Sequence, residues 1–234
     1  MIRWEAAPGP YDVVFSTREG GVSDGPFASL NLGRATADDP ERVEENRRRL
    51  CAEVGADPDA VAMNYQHHSA DVLAARAGSR GERGDGLWTD ERGLPLLALA
   101  ADCLPIALAR ANGGRPALAV LHAGWRGLLG GIASAGVNAL GGGMVSAMIG
   151  PGIGPCCYEV GDEVAAPFRR AFGLGLVRDG KLDLWSAAER ALRAAGCARV
   201  DRVDLCTACS PERFFSHRRD EGVTGRQGVL GLIG

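Results

Sequence analysis

The sequence predicts an α/β or α+β fold formed by one domain, residues 1–234. Short apolar runs of strand length alternate with segments of helical spacing along the 234 residues. Hydrophobic residues make up 46% and charged residues 24%, as in ordinary globular proteins. No repeat, low-complexity linker or composition break divides the chain, so we expect one continuous core. The order of the strands within a sheet does not follow from the sequence.

The first half of the chain predicts mainly strands, with one helix. Residues 11–18 read as a strand that ends in a glycine-rich turn. Asp39 as N-cap and Pro40 at the first helical position begin a helix that ends near Gly55. Further buried strands are predicted at 94–101, 105–109 and 117–122. Residues 76–86 are rich in glycine and charge and predict a mobile loop.

The second half predicts helices between strands. The glycine-containing segment 127–140 has helical spacing and needs tertiary packing to be stable. A strand at 145–150 runs into a rigid loop of sequence GPGIGPCCY. The remaining predicted elements are helices at 161–172 and 184–196 and strands at 199–205 and 228–233.

Charge and cysteine content restrict the partners and the compartment. The formal net charge of -3 gives no reason to expect nucleic-acid binding, and no apolar run approaches the ~20 residues of a membrane span. The seven cysteines are an odd number, scattered along the chain, and the amino terminus has no apolar signal core. These features predict a reduced, cytoplasmic protein. The choice between a monomer and a small homo-oligomer stays open.

Three residues at the ends of apolar runs could form a metal site. Cys103 and His122 each close such a run, and His68 follows another. Two imidazoles and a thiolate suit a zinc ion that keeps its fourth position open, as catalytic zinc sites do. Asp102 would orient an imidazole or serve as a polar group at a strand end. On an extended chain His67 and His68 point to opposite faces, and spacing does not show which one enters the site.

Each of these residues also has a plain structural interpretation. A cysteine in an apolar run is usually a small core residue, and a histidine at a strand end is often a satisfied polar group. Cys206 and Cys209 have CxxC spacing without a second pair at zinc-finger spacing, which favours structural or incidental cysteines. The adjacent Cys156 and Cys157 suggest loop packing. The basic segment at 217–219 is interpreted as a solvated face in preference to the basic edge of a site.

The motifs, taken in order, resemble those of one family over nearly the whole chain. They are STREGGVS (16–23), SLNLG (29–33), ENR (45–47), Gln66-x-His68, DCLP (102–105), HAGWRG (122–127), GPGIGPCCYEVG (150–161), FFSHRR (214–219) and TGRQ (224–227). The chain is similar to the bacterial YfiH or laccase-domain family, once called polyphenol oxidases. The chain differs from the usual family pattern at His67 and His217.

The resemblance implies a fold, a cofactor and an activity. The fold is a layered domain of mixed β-sheets packed together and flanked by helices around a cleft. Zinc would be held by His68, Cys103 and His122, with copper as an adventitious substitute. The activity would be phosphorolysis of the purine nucleosides adenosine, inosine, guanosine and 5'-methylthioadenosine, in which phosphate cleaves each into its base and (methylthio)ribose-1-phosphate. The family also deaminates adenosine to inosine.

The resemblance suggests roles for further residues. Arg18 and Arg126 follow family motifs beside glycines, and a guanidinium can bind phosphate through two hydrogen bonds, so we expect both to hold phosphate. Asp102 would hold a ligand in place or accept a proton, and Cys103 would be a zinc ligand or a nucleophile. The alternatives are a copper-binding polyphenol oxidoreductase, a cysteine-dependent hydrolase and a non-catalytic binding protein. Four histidines are too few for the several copper sites of a true laccase.

Overall fold

The computed structural model describes residues 1–111 and 115–234, which form two six-stranded mixed sheets, a short ribbon and helices. The first sheet has the spatial order β1 (Ile2–Arg3), β2 (Tyr11–Phe15), β14 (Gln227–Ile233), β7 (Leu96–Ala100), β3 (Ala62–Tyr65) and β5 (Arg80–Arg83). The second has the order β13 (Cys197–Arg202), β10 (Met144–Ile149), β8 (Leu104–Ala111), β9 (Leu118–Ala123), β6 (Gly86–Thr89) and β4 (Val72–Ala74). The ribbon pairs β11 (Val177–Arg178) with β12 (Lys181–Leu182).

The helices of the described ranges lie on both outer faces of the paired sheets. They are α1 (Pro40–Ala52), α2 (Trp125–Gly130), α3 (Ile132–Ala139), α4 (Asp162–Phe172) and α5 (Leu184–Ala194), besides a 3₁₀ turn at Gly25–Phe27. Asp39 caps α1 by accepting from the Glu41 N–H, as predicted. None of these helices is long and apolar enough to span a bilayer.

Alternation along the strands produces three layers of core. In β2, Phe15 points between the two sheets, where it joins Leu96 of β7 and Val120 of β9. Val14 points the other way and packs with Leu50 of α1. A third cluster joins the outer face of the second sheet to α2, α3, α4 and α5. The prediction of a mixed α/β fold with layered sheets flanked by helices is therefore confirmed.

Two predicted elements are wrong in detail. The expected helix at 127–140 is two helices, because Gly131 adopts the left-handed conformation (φ 90°) and ends α2. The expected loop at 76–86 contains β5, which pairs in parallel with β3. All four residues of β5 are exposed and polar or glycine, so the segment lacks the alternating pattern by which strands are recognised.

Candidate active site

The fold brings together the three residues that the sequence suggested as metal ligands. The ligand atoms of His68, Cys103 and His122 all lie within 4.8 Å of one another. The two imidazole rings meet edge to face, with centroids 5.0 Å apart and planes at 68°. His122 is buried, Cys103 is half-buried and His68 is exposed. The group is therefore anchored on one side and open to solvent on the other.

Strand pairing explains why residues so far apart in sequence converge. β3 and β7 run parallel, so His68 after β3 and Cys103 after β7 emerge at the same edge of the first sheet. The Gln66 side chain extends this pairing, since its amide donates to the Leu99 carbonyl at 2.7 Å and accepts from the Leu99 N–H at 2.8 Å. In the second sheet His122 lies opposite Pro105, two residues from Cys103.

The backbone at His68 settles which of the adjacent histidines enters the group. His68 has φ 65°, a left-handed conformation, so the extended geometry assumed for the pair does not apply. His67 lies outside the group. Its Nδ1 is buried without a hydrogen-bond partner in the described structure, 3.6 Å from Asp85 Oδ2.

The carboxylate that orients His122 is Asp85, which the sequence analysis did not select. Asp85 Oδ1 lies 2.8 Å from His122 Nδ1 and accepts from the His68 N–H at 2.9 Å. Asp85 Oδ2 accepts from the N–H groups of His67 and Ser69 and from the Ser69 hydroxyl. Burial alone would raise the pKa of Asp85, but these hydrogen bonds hold that pKa well below its usual range. Asp85 is therefore a buried anion that fixes both histidines of the group.

The arrangement favours an ion pair between Cys103 and His122. Burial alone would raise the pKa of the Cys103 thiol, but the imidazoles of His122 and His68 lower it to about 6. Burial alone would lower the pKa of His122, but the Cys103 thiolate and Asp85 raise it to about 9. A thiolate is the form of cysteine that binds metals and attacks electrophiles.

A glycine allows the backbone to approach the group closely. A Cβ atom at Gly124 would lie 2.8 Å from Cys103 Sγ and 3.1 Å from His68 Cδ2. Gly124 also precedes α2, whose first residues are Trp125 and Arg126. The HAGWRG motif thus places His122, a glycine that leaves room for Cys103, and a cleft-lining arginine within five consecutive residues.

The group lies in the wall of a cleft of about 680 Å³. That volume is within the range of pockets that hold small organic ligands. The aromatic side chains Trp125 and Tyr158 line it, together with apolar residues such as Leu99 and Ile153. Six arginines also line the cleft: Arg34, Arg47, Arg80, Arg126, Arg218 and Arg226. Aromatic surface and clustered positive charge suit a ligand that has a planar ring and an anion.

The two arginines expected to hold phosphate lie in different places. Arg126 is exposed at the cleft, and its guanidinium stacks on the Trp125 ring, 4.1 Å from the centroid. Arg18 is not a lining residue: it donates to the carbonyls of Ala28 and Pro211 and stacks on Phe215. The structure therefore does not bring Arg18 together with the metal-binding group. Its role is to join two loops.

Arg226 is one of the lining arginines that the sequence analysis did not select. It is half-buried, and one of its nitrogens donates to the carbonyls of Thr224 and Gly225 at 2.9 Å. Burial lowers its pKa, against an opposing effect of the nearby Asp102 and Cys103. Arg226 is thus a partly desolvated cation beside Cys103. Only its membership of the TGRQ motif could have indicated it.

Asp102 lies next to the group but contacts no imidazole. Its carboxylate accepts from Thr207 Oγ1 at 2.6 Å and from the Arg218 N–H at 2.7 Å. Its backbone is left-handed, with φ 80°, and its carbonyl accepts from Ile153 N. Of the two roles expected for Asp102, the structure shows a polar group at a strand end, because Asp85 occupies the position that orients the His122 imidazole. Asp102 instead holds the segment that carries Arg218 against the strand end at Cys103.

The segment 217–219 was expected to be a solvated face, yet part of it belongs to the cleft. His217 and Arg218 are exposed but line the cleft wall. The Arg218 guanidinium stacks over Tyr158, 5.3 Å from the ring centroid, and donates to the Glu159 carbonyl. Arg219 points elsewhere and pairs with Asp220. The sequence pattern could not separate these neighbours.

Fold and site together define a class of protein: an α/β protein with two packed sheets whose strand ends hold a His/Cys/His group in an arginine-rich cleft. Residues 12–233 match the family model described as multi-copper polyphenol oxidoreductase laccase. The chain belongs to this family, which includes the YfiH and YlmD proteins. The resemblance inferred from the motifs is thereby confirmed.

Individual relatives match over most of their length. A purine nucleoside phosphorylase of Deinococcus radiodurans is 43% identical over 230 residues, covering 93% of this chain and 88% of that protein. The purine nucleoside phosphorylase YfiH of Escherichia coli K12 is 36% identical over 220 residues, covering 90% and 89%. The crystal structure of YlmD from Geobacillus stearothermophilus has a TM-score of 0.89 at 34% identity, covering 97% and 93%.

Proposed function

We propose that this protein is a purine nucleoside phosphorylase acting on adenosine, inosine, guanosine and 5'-methylthioadenosine. The observation that carries the proposal is the His68, Cys103 and His122 group in the wall of an arginine-rich cleft of about 680 Å³. The names of the relatives support the same reaction class. We extend the proposal to deamination of adenosine to inosine in this cleft. A cytoplasmic location belongs to the proposal, supported by seven cysteines without a disulfide.

The donor set of the group fits zinc. Two imidazoles and one thiolate are three protein ligands, the number usual in catalytic zinc sites. Asp85 contacts His122 Nδ1 and so leaves Nε2 for the metal. Such a hydrogen bond from the second ring nitrogen to a carboxylate is usual for a zinc-bound histidine. When bound, zinc would supply a Lewis acid with one coordination position open to the cleft. Copper would be an adventitious substitute, since imidazole–thiolate sites bind it well.

The chain's own residues would position phosphate and nucleoside. We assign phosphate to Arg226 and Arg126, because both line the cleft and guanidinium groups pair with phosphate oxygens. The aromatic faces of Trp125 and Tyr158 would hold the purine ring. In phosphorolysis a phosphate oxygen bonds to C1' of the ribose as the bond from C1' to the purine nitrogen breaks. Asp102 would hold the cleft wall in position through its hydrogen bonds with Thr207 and the Arg218 N–H.

A second candidate function is a cysteine-dependent hydrolase. Such a hydrolase would use Cys103 as the nucleophile, His122 as the base and Asp85 as the carboxylate that orients the base. The lowered pKa of Cys103, about 6, suits a thiolate nucleophile. Zinc ligation would occupy the same thiolate, so the two functions exclude each other in one molecule. Metal content therefore distinguishes them.

The test is a product analysis with defined metal content. Protein purified without added metal is analysed by inductively coupled plasma mass spectrometry and then incubated with each of the four nucleosides, with and without phosphate. We expect the protein to contain zinc. From adenosine, adenine and ribose-1-phosphate should form only when phosphate is present, whereas inosine should also form without phosphate. Zinc-loaded protein that converts none of the four nucleosides would refute the proposal. Turnover by metal-free protein would favour the cysteine-dependent hydrolase.

A matched pair of variants tests the phosphate assignment. Arg226→Ala removes the half-buried cation beside Cys103, and we expect the KM for phosphate to rise about 10- to 100-fold, as loss of a charged hydrogen-bond pair predicts. Arg170→Ala removes an exposed arginine of α4 and is expected to leave that KM unchanged. An Arg226→Ala enzyme with an unchanged KM for phosphate would remove Arg226 from the assignment.

A further inference from the structure

A second group of metal-binding side chains lies outside the His/Cys/His site. Cys156, Cys157, Cys206 and Cys209 place their sulfur atoms within 4.8 Å of one another. Cys209 Sγ lies 3.4 Å from Cys156 Sγ and 3.3 Å from Cys157 Sγ. The group has no part in the proposed phosphorolysis. The sequence analysis treated the two pairs as unrelated, because an adjacent pair is not a zinc-finger spacing.

Local structure makes two adjacent cysteines point at one place. Residues 154–158 form a tight turn, in which the N–H groups of Cys157 and Tyr158 both donate to the Gly154 carbonyl. The turn gathers the two neighbouring side chains on one side, whereas an extended chain would separate them. The Gly154 N–H donates to Cys206 Sγ at 3.2 Å. That donor points at a sulfur of the group, as suits a negatively charged thiolate.

The size of the group fits a tetrahedral metal. Zinc–sulfur bonds of about 2.3 Å place neighbouring sulfur atoms roughly 3.8 Å apart in a tetrahedron. The observed separations, two of 3.3–3.4 Å and all within 4.8 Å, bracket that value. Cys206 is buried, Cys157 is half-buried and the other two are exposed, so metal could reach the group from solvent.

We propose that Cys156, Cys157, Cys206 and Cys209 bind a structural zinc ion. Four thiolates are a closed ligand set, which leaves no position for substrate and is typical of structural zinc. The proposal does not depend on the phosphorylase activity or on metal at the first site. The ion would also have a structural role, because both cysteine segments continue into the cleft wall.

The zinc would join two parts of that wall. Cys157 is followed by Tyr158, which lines the cleft. Cys206 is followed by Thr207, whose hydroxyl holds the Asp102 carboxylate at 2.6 Å beside the first site. Between the segments the described backbone offers only an isolated bridge, Gly152 with Cys206. A tetrathiolate zinc would therefore fix the position of Tyr158 relative to the strand end at Cys103.

The test compares metal content in single variants. Cys209→Ser removes the sulfur nearest to two others and is expected to lose about one zinc per chain, whether or not the first site is loaded. Cys103→Ser tests the first site and is expected to leave this second zinc in place. Cys197→Ala changes a buried cysteine of β13 away from both groups and serves as the control with wild-type zinc content.

Cobalt substitution tests the ligands by spectroscopy. A tetrathiolate cobalt centre gives strong sulfur-to-metal charge-transfer bands, which we expect in the wild type and in Cys103→Ser, whose first site has no thiolate left, and at clearly lower intensity in Cys209→Ser. Wild-type protein without these bands, or Cys209→Ser with undiminished zinc, would overturn the proposal. A disulfide among the four cysteines in freshly purified protein, detected by intact-mass measurement, would also overturn it.

Discussion

Replacing Asp85 with asparagine tests the structural basis of the candidate metal-binding group of His68, Cys103 and His122. The carboxylate is 1% exposed, and its two oxygens together contact His67, His68, Ser69 and His122. Asparagine has the same shape but keeps only one acceptor oxygen. If its NH₂ group takes the place of Oδ2, it faces the N–H donors of His67 and Ser69. If it takes the place of Oδ1, it faces the N–H donor of His68.

The second orientation also changes the chemistry of His122. The amide NH₂ would donate to Nδ1 and move the ring proton to Nε2, the nitrogen left for the metal. Loss of such a second hydrogen bond typically lowers metal affinity about 10- to 100-fold. Leaving buried donors unsatisfied costs about 1–3 kcal/mol each, so Asp85→Asn should lower the free energy of unfolding by roughly 2–4 kcal/mol.

Two measurements check this prediction. Competition with a chromophoric zinc chelator gives the affinity, and urea unfolding of the metal-free protein gives the free energy of unfolding. Asp71→Asn changes an exposed carboxylate nearby in sequence and should match the wild type in both. An Asp85→Asn protein within about two-fold of the wild-type zinc affinity and within about 0.5 kcal/mol of its stability would refute the argument.

Three further predictions concern the surroundings of the group. In metal-free protein the Cys103 thiolate forms above its pKa of about 6 and is protonated below it. Labelling of Cys103 by iodoacetamide should therefore rise between pH 5 and pH 7, as measured by peptide mapping. Cys197, whose pKa burial raises to about 11, should stay unlabelled. Thr207→Val removes the 2.6 Å hydrogen bond to Asp102 and should cost about 1–3 kcal/mol in urea unfolding; an unchanged midpoint would contradict this. Gly124→Ala suits the local backbone (φ -81°, ψ 176°) but puts a methyl group 2.8 Å from Cys103 Sγ. Turnover should therefore fall about 10- to 100-fold while the fold persists. Turnover at the wild-type rate would argue against the observed packing.

The sequence predicted those elements whose residues carry a strong local signal. The cap at Asp39 and the apolar runs around β7, β8 and β9 are such signals, and the corresponding elements exist. β5 was missed because an exposed polar edge strand has no apolar period, and its existence depends on pairing with β3. The break at Gly131 depends on one backbone angle that glycine permits but does not require.

The site was predictable in its ligands but not in its supports. His68, Cys103 and His122 carry rare chemistry at strand ends, which a sequence displays directly. Asp85 has no such signal, since it is one of the 29 acidic residues of the chain and follows no apolar run. Its role arises from the antiparallel pairing of β6 with β9, which also brings the His122 N–H to within 2.7 Å of the Asp85 carbonyl. The motif around Arg18 predicted a phosphate contact, whereas the structure shows its guanidinium joining two loops instead of lining the cleft.

The donor count also decides how far the description of the family as multi-copper applies to this chain. The sequence contains four histidines. Two of them, His68 and His122, belong to one group, whereas His67 faces Asp85 and His217 lies on the cleft wall. Two imidazoles and a thiolate are donors that copper also accepts, so one copper ion could take the place of the proposed zinc. Several copper centres would need more imidazoles than the chain has. Copper loading should therefore compete with zinc for the group and abolish the proposed phosphorolysis without producing the four-electron reduction of oxygen.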